Sequence, residues 1–262
     1  MAVKLTEKQK QSPLYKYYEM DIAPVPEDLA KEILSMNWNK EGGLHINDMN
    51  KLFEDGYLDG EFGMYMLEDG GMVVANLTDM PGVTPEMFDW WFAWHGLDSL
   101  RYTIWDKDDH FYCQTQNAEQ ALDESLSLRE RFWNTTHEIK ETFMGGDEEP
   151  KSAFLHFVKP TTIGFDEKLF NEFKGTIICT PGPAVMSHFL RPTENGCELR
   201  TRFWFGYKRN EDGKYEHIEG FPTFEMMGRA LLYHNVKEFT HLAKILPLVY
   251  AEFKDNFKVD LE

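Results

Sequence analysis

The sequence predicts an α+β fold, and three features predict it. Short apolar runs of strand-like composition fill residues 132–209, turn residues separate them, and one long helical stretch follows from Thr223 to about Phe257. Hydrophobic residues make up 42% of the 262 positions and charged residues 27%, values that exclude wholesale disorder. Against 27 Lys plus Arg stand 45 Asp plus Glu, giving a formal net charge of -18. That balance excludes a nucleic-acid binder, because neutralising phosphates needs clustered cations. Aromatic content is 15%, with 20 Phe, 11 Tyr and 7 Trp, which suits either a cavity for an apolar ligand or plain core packing.

Residues 1–80 read as a small N-terminal domain and 81–262 as the main one. In the first, Pro24 to Met36 is a helix with Leu29, Ile33 and Leu34 on one stripe. Two apolar runs flank Glu68-Asp69-Gly70-Gly71, a β-hairpin signal. Because Phe62 to Leu77 is more apolar than a solvated appendage needs, a dimer interface is expected there. The main domain opens on Thr84 as helix N-cap, with Pro85 and Glu86 in the first turn. The helix that follows, MFDWWFAWH, is apolar nearly all round and should be buried, with Gly96 as its C-terminal cap and His95 at its end. Residues 117–131 are acidic and read as a surface insertion or lid. The strand-like runs FWNTTHEIKETF, SAFLHFVKP, GTIICTPG, AVMSHFLRP and CELRTRFWFGYKR come next. Turns at Gly145-Gly146, Pro181-Gly182-Pro183, Glu194-Asn195-Gly196 and 210–213 divide them. The last helix contains Pro247, which should kink or break it. Antiparallel strands followed by one long helix describe a helix-grip (START-like) arrangement, a bent sheet wrapped around the helix with a cavity between.

His234 and Glu238 lie four apart in that last helix and share a face. One or two such pairs arise by chance in this composition, and His137–Glu141 is the second. The surroundings distinguish the first pair. Met227, Leu231, His234, Glu238, Leu242, Ile245 and Val249 form a single stripe, so a carboxylate and an imidazole sit on a buried face. A buried carboxylate needs a cation, which can be a metal, a lysine or an arginine, the plain structural choice being one from Arg200-Thr201-Arg202. In FWNTTHEIKETF, Glu138 and His137 fall on opposite faces, and the period alone leaves open which face is inward. Cys113, Cys179 and Cys197 show no CxxC spacing, so neither a disulfide framework nor a thiolate zinc site is indicated. The polar N-terminus and the absence of any run of roughly 18 apolar residues suggest a soluble, cytoplasmic protein with no membrane partner.

DWWFAWH (89–95), WDKDDH (105–110), SHFLRPTENGCELRTRFWFG (187–206) and YHNVKEF (233–239) together resemble the diacetylphloroglucinol hydrolase and phloretin hydrolase family. The resemblance covers roughly residues 80–250. It implies a helix-grip fold with a dimerising N-terminal region, hence a homodimer. It also implies one zinc ion on two His and two Glu that serves hydrolysis of an aryl–acyl carbon–carbon bond in a small aromatic ketone. Carried over, the ligands are His95, Glu138, His234 and Glu238, and the catalytic histidine is His188 of SHFLR. Iron or manganese would also accept that donor set. Asp98 stands where the resemblance implies a substrate-binding amide. A non-catalytic helix-grip carrier of aromatic or polyketide ligands is the alternative.

Overall fold

A computed structural model describes residues 2–144, 149–223 and 225–260; the expected turn at Gly145-Gly146 lies outside them. The elements in chain order are α1 (Tyr15–Glu19), α2 (Glu27–Ser35), β1 (Gly63–Met66), β2 (Met72–Pro81), α3 (Pro85–Trp94), α4 (Ser99–Thr103), β3 (His110–Thr115), α5 (Ala118–Ala121) and β4 (Thr135–Glu141). Then come β5 (Lys151–Phe157), α6 (Pro160–Ile163), α7 (Glu167–Glu172), β6 (Thr176–Thr180), β7 (Ala184–Thr193), β8 (Gly196–Phe205), β9 (Tyr207–Arg209), β10 (Tyr215–His217) and α8 (Glu225–Phe253). The class is α+β, with antiparallel sheets and a long C-terminal helix.

Five strands form one sheet in the order β1-β2-β8-β7-β6, and three form another in the order β3-β4-β5. The amide of Val158, just past β5, donates to the Cys179 carbonyl in β6 at 3.1 Å and stitches the two sheets together. Period-two alternation gives the five-stranded sheet two buried faces. On one, Val74, Ile178, Leu190 and Leu199 join α3 and the Leu232, Phe239 and Leu242 stripe of α8. On the other, Val73, Ile177, Phe189 and Trp204 pack under Ile46, Met49 and Leu52 and under Phe165 and Phe170.

The expected hairpin exists, but it is part of this sheet. β2 pairs with β8 along its whole length, from Met72 opposite Phe205 to Pro81 opposite Gly196. Gly196 has φ +150, and a Cβ there would stand 2.5 Å from the Met80 carbonyl oxygen, so only glycine lets the strands close at that corner. A boundary near residue 80 therefore falls inside a hydrogen-bonded strand. The hairpin's apolar side chains Met64, Val73 and Val74 are fully buried within the chain.

Thr84 caps α3, its hydroxyl accepting from the Met87 amide at 3.2 Å. Gly96 does not cap that helix: α3 runs into a 3-10 turn at His95–Leu97, and Gly96 has no left-handed φ. A Cβ at Gly96 would lie 2.4 Å from the His137 ring, so glycine is required there to admit an imidazole. α8 continues through Pro247 to Phe253 without a break in its span. The 117–131 segment carries α5 and is fixed by Arg129, which donates to Asp89 at 2.8 Å and to the Gly175 carbonyl at 2.9 Å.

Candidate active site

A cavity of about 270 Å³ lies between α8, α3 and the two sheets. The α8 stripe enters it as the sequence spacing predicts: Met227, Leu231, His234 and Glu238 line the cavity, and Leu242, Ile245 and Val249 continue downward as core. Phe143, Leu155, Met186, Phe203 and Phe205 make most of the remaining wall apolar. Among the described residues, none from 117–131 lines it, so that segment is not a lid over the cavity.

The polar groups gather around His110, at the start of β3. Its Nδ1 donates to the Tyr102 carbonyl at 3.2 Å, which leaves the Nε2 lone pair free. That Nε2 lies 3.4 Å from Nε2 of His234 and 3.5 Å from the Glu238 carboxylate. His234 and Glu238 are 3.8 Å apart across one helical turn. Glu141, at the end of β4, completes the group: it, His110 and His234 each bring a donor atom within 4.8 Å of the others. The Tyr102 hydroxyl donates to Glu141 at 2.5 Å, and the Tyr102 ring stacks on His110 with centroids 3.9 Å apart.

Supporting bonds fix these groups. The Trp105 indole donates to the Glu238 backbone carbonyl at 2.9 Å, and Asn235 donates to the Glu238 side chain at 3.1 Å. Asn76 of β2 donates in turn to Asn235 at 2.9 Å. Behind His234, the Asp109 carboxylate sits 3.8 Å from Nδ1 and is held by Lys237 and Thr142.

The electrostatics of the cluster are those of a cation site. Burial pushes Glu238 up to about 8 and raises Glu141. Burial drives His110 well below its ordinary value, whereas His234 rises to about 9 because Glu238, Asp109 and Glu141 outweigh its own burial. Buried Glu238 and half-buried Glu141 stand against two imidazoles whose Nε2 atoms face one another, an arrangement that a shared cation would stabilise. Donor separations of 3.4, 3.5 and 3.8 Å approach the roughly 3.3–3.5 Å between N and O ligands of one tetrahedral dication. The residues present therefore fit a metal ion.

The sequence-predicted residues distribute unevenly. His234 and Glu238 stand together in the cluster. Glu138 does not join it: β4 buries Thr135, His137 and Ile139, and the same alternation brings Glu141 to the cavity and turns Glu138 to the opposite, part-exposed face. His95 lines the cavity, but its donor atom groups with Cys113 and His137, and its Nδ1 is bonded to the Trp91 carbonyl at 2.8 Å. His188, on the inner face of β7, is buried in the cavity wall with Nδ1 2.8 Å from the Thr201 hydroxyl. Arg200 and Arg202 face the other side of the sheet and both clamp Glu61, so neither is the cation for Glu238. His110 was the residue missed; it closes the WDKDDH block, one of those that carry the resemblance, but the first ligand was placed on His95 of the block before it.

A cavity built on this cluster defines a class, and comparison with known families agrees. The DAPG hydrolase PhiG domain matches residues 44–251, and the chain belongs to that family. Phloretin hydrolase of Eubacterium ramulus is 36% identical over 97% of this chain and 95% of its own length. The 2,4-diacetylphloroglucinol hydrolase of Pseudomonas protegens is 27% identical over 93% of this chain and 85% of its own.

Proposed function

We propose that this protein hydrolyses the aryl–acyl carbon–carbon bond of an acylated polyphenol of the phloretin or acylphloroglucinol type, releasing a phloroglucinol-type phenol and a carboxylic acid. The observation that carries this reading is the convergence of His110, Glu141, His234 and Glu238 at one side of an aromatic-walled cavity. These four would hold a divalent metal, zinc by preference, with iron or manganese also compatible. When bound, the ion would supply positive charge that stabilises an anionic substrate oxygen.

The chain's own residues account for the rest. The apolar wall takes the aromatic rings and excludes bulk water. Burial lowers His188 to about 3, so its imidazole is neutral, the form that can take a proton from attacking water and return one to the ring carbon that loses the acyl group. Thr201 fixes the orientation of that ring. Tyr102, held well above its ordinary value by burial and Glu141, stays a phenol whose single O–H is spent on Glu141, fixing that carboxylate in the cluster.

A helix-grip assignment belongs to the same reading and is supported by the packing of α8 against the inner face of the five-stranded sheet. So does a homodimer, for which the sequence resemblance is the support; sedimentation as a monomer at micromolar concentration would remove it. A cytoplasmic setting is in keeping with three free, buried cysteines.

The deciding experiment is incubation with phloretin, with phloroglucinol and an arylpropionic acid expected in equal amounts by chromatography. Stoichiometric binding without products would favour a carrier instead.

A further inference from the structure

We propose a second metal site in the cavity wall, in which His95, Cys113 and His137 hold a soft divalent ion. The three come from three elements that the fold brings to one point. Cys113 on β3 and His137 on β4 are diagonal neighbours on one face of the ladder, since Cys113 stands opposite Ile139 and Thr115 opposite His137. His95 arrives from the turn after α3, and the missing side chain at Gly96 lets the His137 ring approach that turn. All three residues are at most 2% exposed.

Their donor atoms lie within 4.8 Å of one another, and Cys113 Sγ is 3.9 Å from His137 Nδ1. Nitrogen and sulfur ligands of one tetrahedral ion stand roughly 3.3–3.8 Å apart, so small side-chain rotations close the site. His95 already spends Nδ1 on the Trp91 carbonyl, which fixes the tautomer and leaves Nε2 as the ligand nitrogen. Burial lowers His95 to about 4 and holds His137 well below its ordinary value, so both imidazoles keep free lone pairs at neutral pH.

The donor chemistry differs from that around His110. Two imidazoles and a thiolate select zinc, cobalt or cadmium over magnesium, calcium or manganese, whereas two imidazoles and two carboxylates also accept harder ions. Burial holds the Cys113 thiol well above its ordinary value. Binding therefore replaces the S–H bond with a sulfur–metal bond and releases that proton to solvent, so affinity rises with pH. Of the three, His95 lines the cavity, so the site borders the space a ligand would occupy.

The test adds Co2+ to the protein as isolated, in reducing buffer, and reads metal content after desalting together with the absorption spectrum. One additional equivalent per chain and a thiolate-to-cobalt charge-transfer band in the near ultraviolet are expected. Both should vanish in Cys113→Ser and in His137→Gln, and the band should persist in Cys197→Ser and Glu238→Gln. Persistence in Glu238→Gln separates this site from the cluster around His110. Absence of the band in the unmodified protein, or its survival in Cys113→Ser, overturns the proposal. Where Cys113→Ser does not fold, His137→Gln carries the same decision.

Discussion

Single residues decide which carboxylate serves the cluster. Glu138 and Glu141 are three apart in one strand, and alternation turns only one of them inward. Glu141→Gln and Glu238→Gln should each lower bound metal, measured by mass spectrometry, by about tenfold or more, along with activity. Glu138→Gln should change neither, and loss of metal in that variant would reverse the assignment. His188→Ala should keep its metal and fold while turnover falls by about two to four orders of magnitude, the usual weight of acid–base catalysis. A metal-free His188→Ala protein would instead make His188 a ligand. The period of β4 was legible in the sequence, but which face is buried depends on the turn at Gly96 and on α8, which lie elsewhere in the chain. His110 shows the same limit. Its neighbours Asp106, Asp108 and Asp109 advertise solvent, yet Asp106 and Asp109 are fully buried because Lys237 of α8 binds both.

At the level of elements, local chemistry read well wherever it was self-sufficient. Thr84-Pro85-Glu86 carries its own start signal, and α3 begins there. Thr84→Ala should cost about 1 kcal/mol in urea denaturation with activity retained, because the cap satisfies an amide that water must otherwise reach; an unchanged midpoint would contradict it. The turns at Gly182 and Gly213 likewise fall between strands, and Gly196 opens β8 at the third, each glycine with a positive φ. β3 was harder to read: HFYCQT is six residues long, is bulged between His110 and Tyr112, and follows an acidic turn. Gly96 misled for a related reason. A glycine after a helix reads as a cap, and nothing local signals that its bare backbone is needed by a ring from β4.

For the whole molecule, the sheet's two buried faces call for different chemistry. One faces the cavity; the other buries Arg200 and Arg202 on a single partner, Glu61, which also accepts from the Leu58 amide at 2.8 Å. Burial would raise Glu61, but the two guanidinium groups and the Leu58 amide hold it near 2. Its folded value thus lies below the unfolded one of 4.5, so its contribution is present above about pH 4.5 and is lost as pH falls toward 2. Melting temperature should drop across that window, and Glu61→Gln should flatten the drop. At neutral pH, Glu61→Gln should cost about 3–5 kcal/mol, since two buried cations lose their counter-charge. A variant that melts like the unmodified protein at pH 7 would contradict this account. Sequence alone left an arginine of Arg200-Thr201-Arg202 open as a partner for Glu238, because it cannot show to which side of a two-faced sheet those positions of β8 point.

The pairing of β2 with β8 also sets a timetable for biosynthesis. A ribosome releases β2 long before its partner strand, and α8, which closes the cavity, follows later still. Until then, β2 (Met72–Pro81) has only β1 to pair with, along Met72–Ala75, and keeps its other edge open, with apolar side chains on both faces. Such a strand is an open template for intermolecular pairing. Yield of soluble protein should therefore respond to translation speed and chaperone supply, and removing the N-terminal hairpin should leave β8 as a bare edge that aggregates.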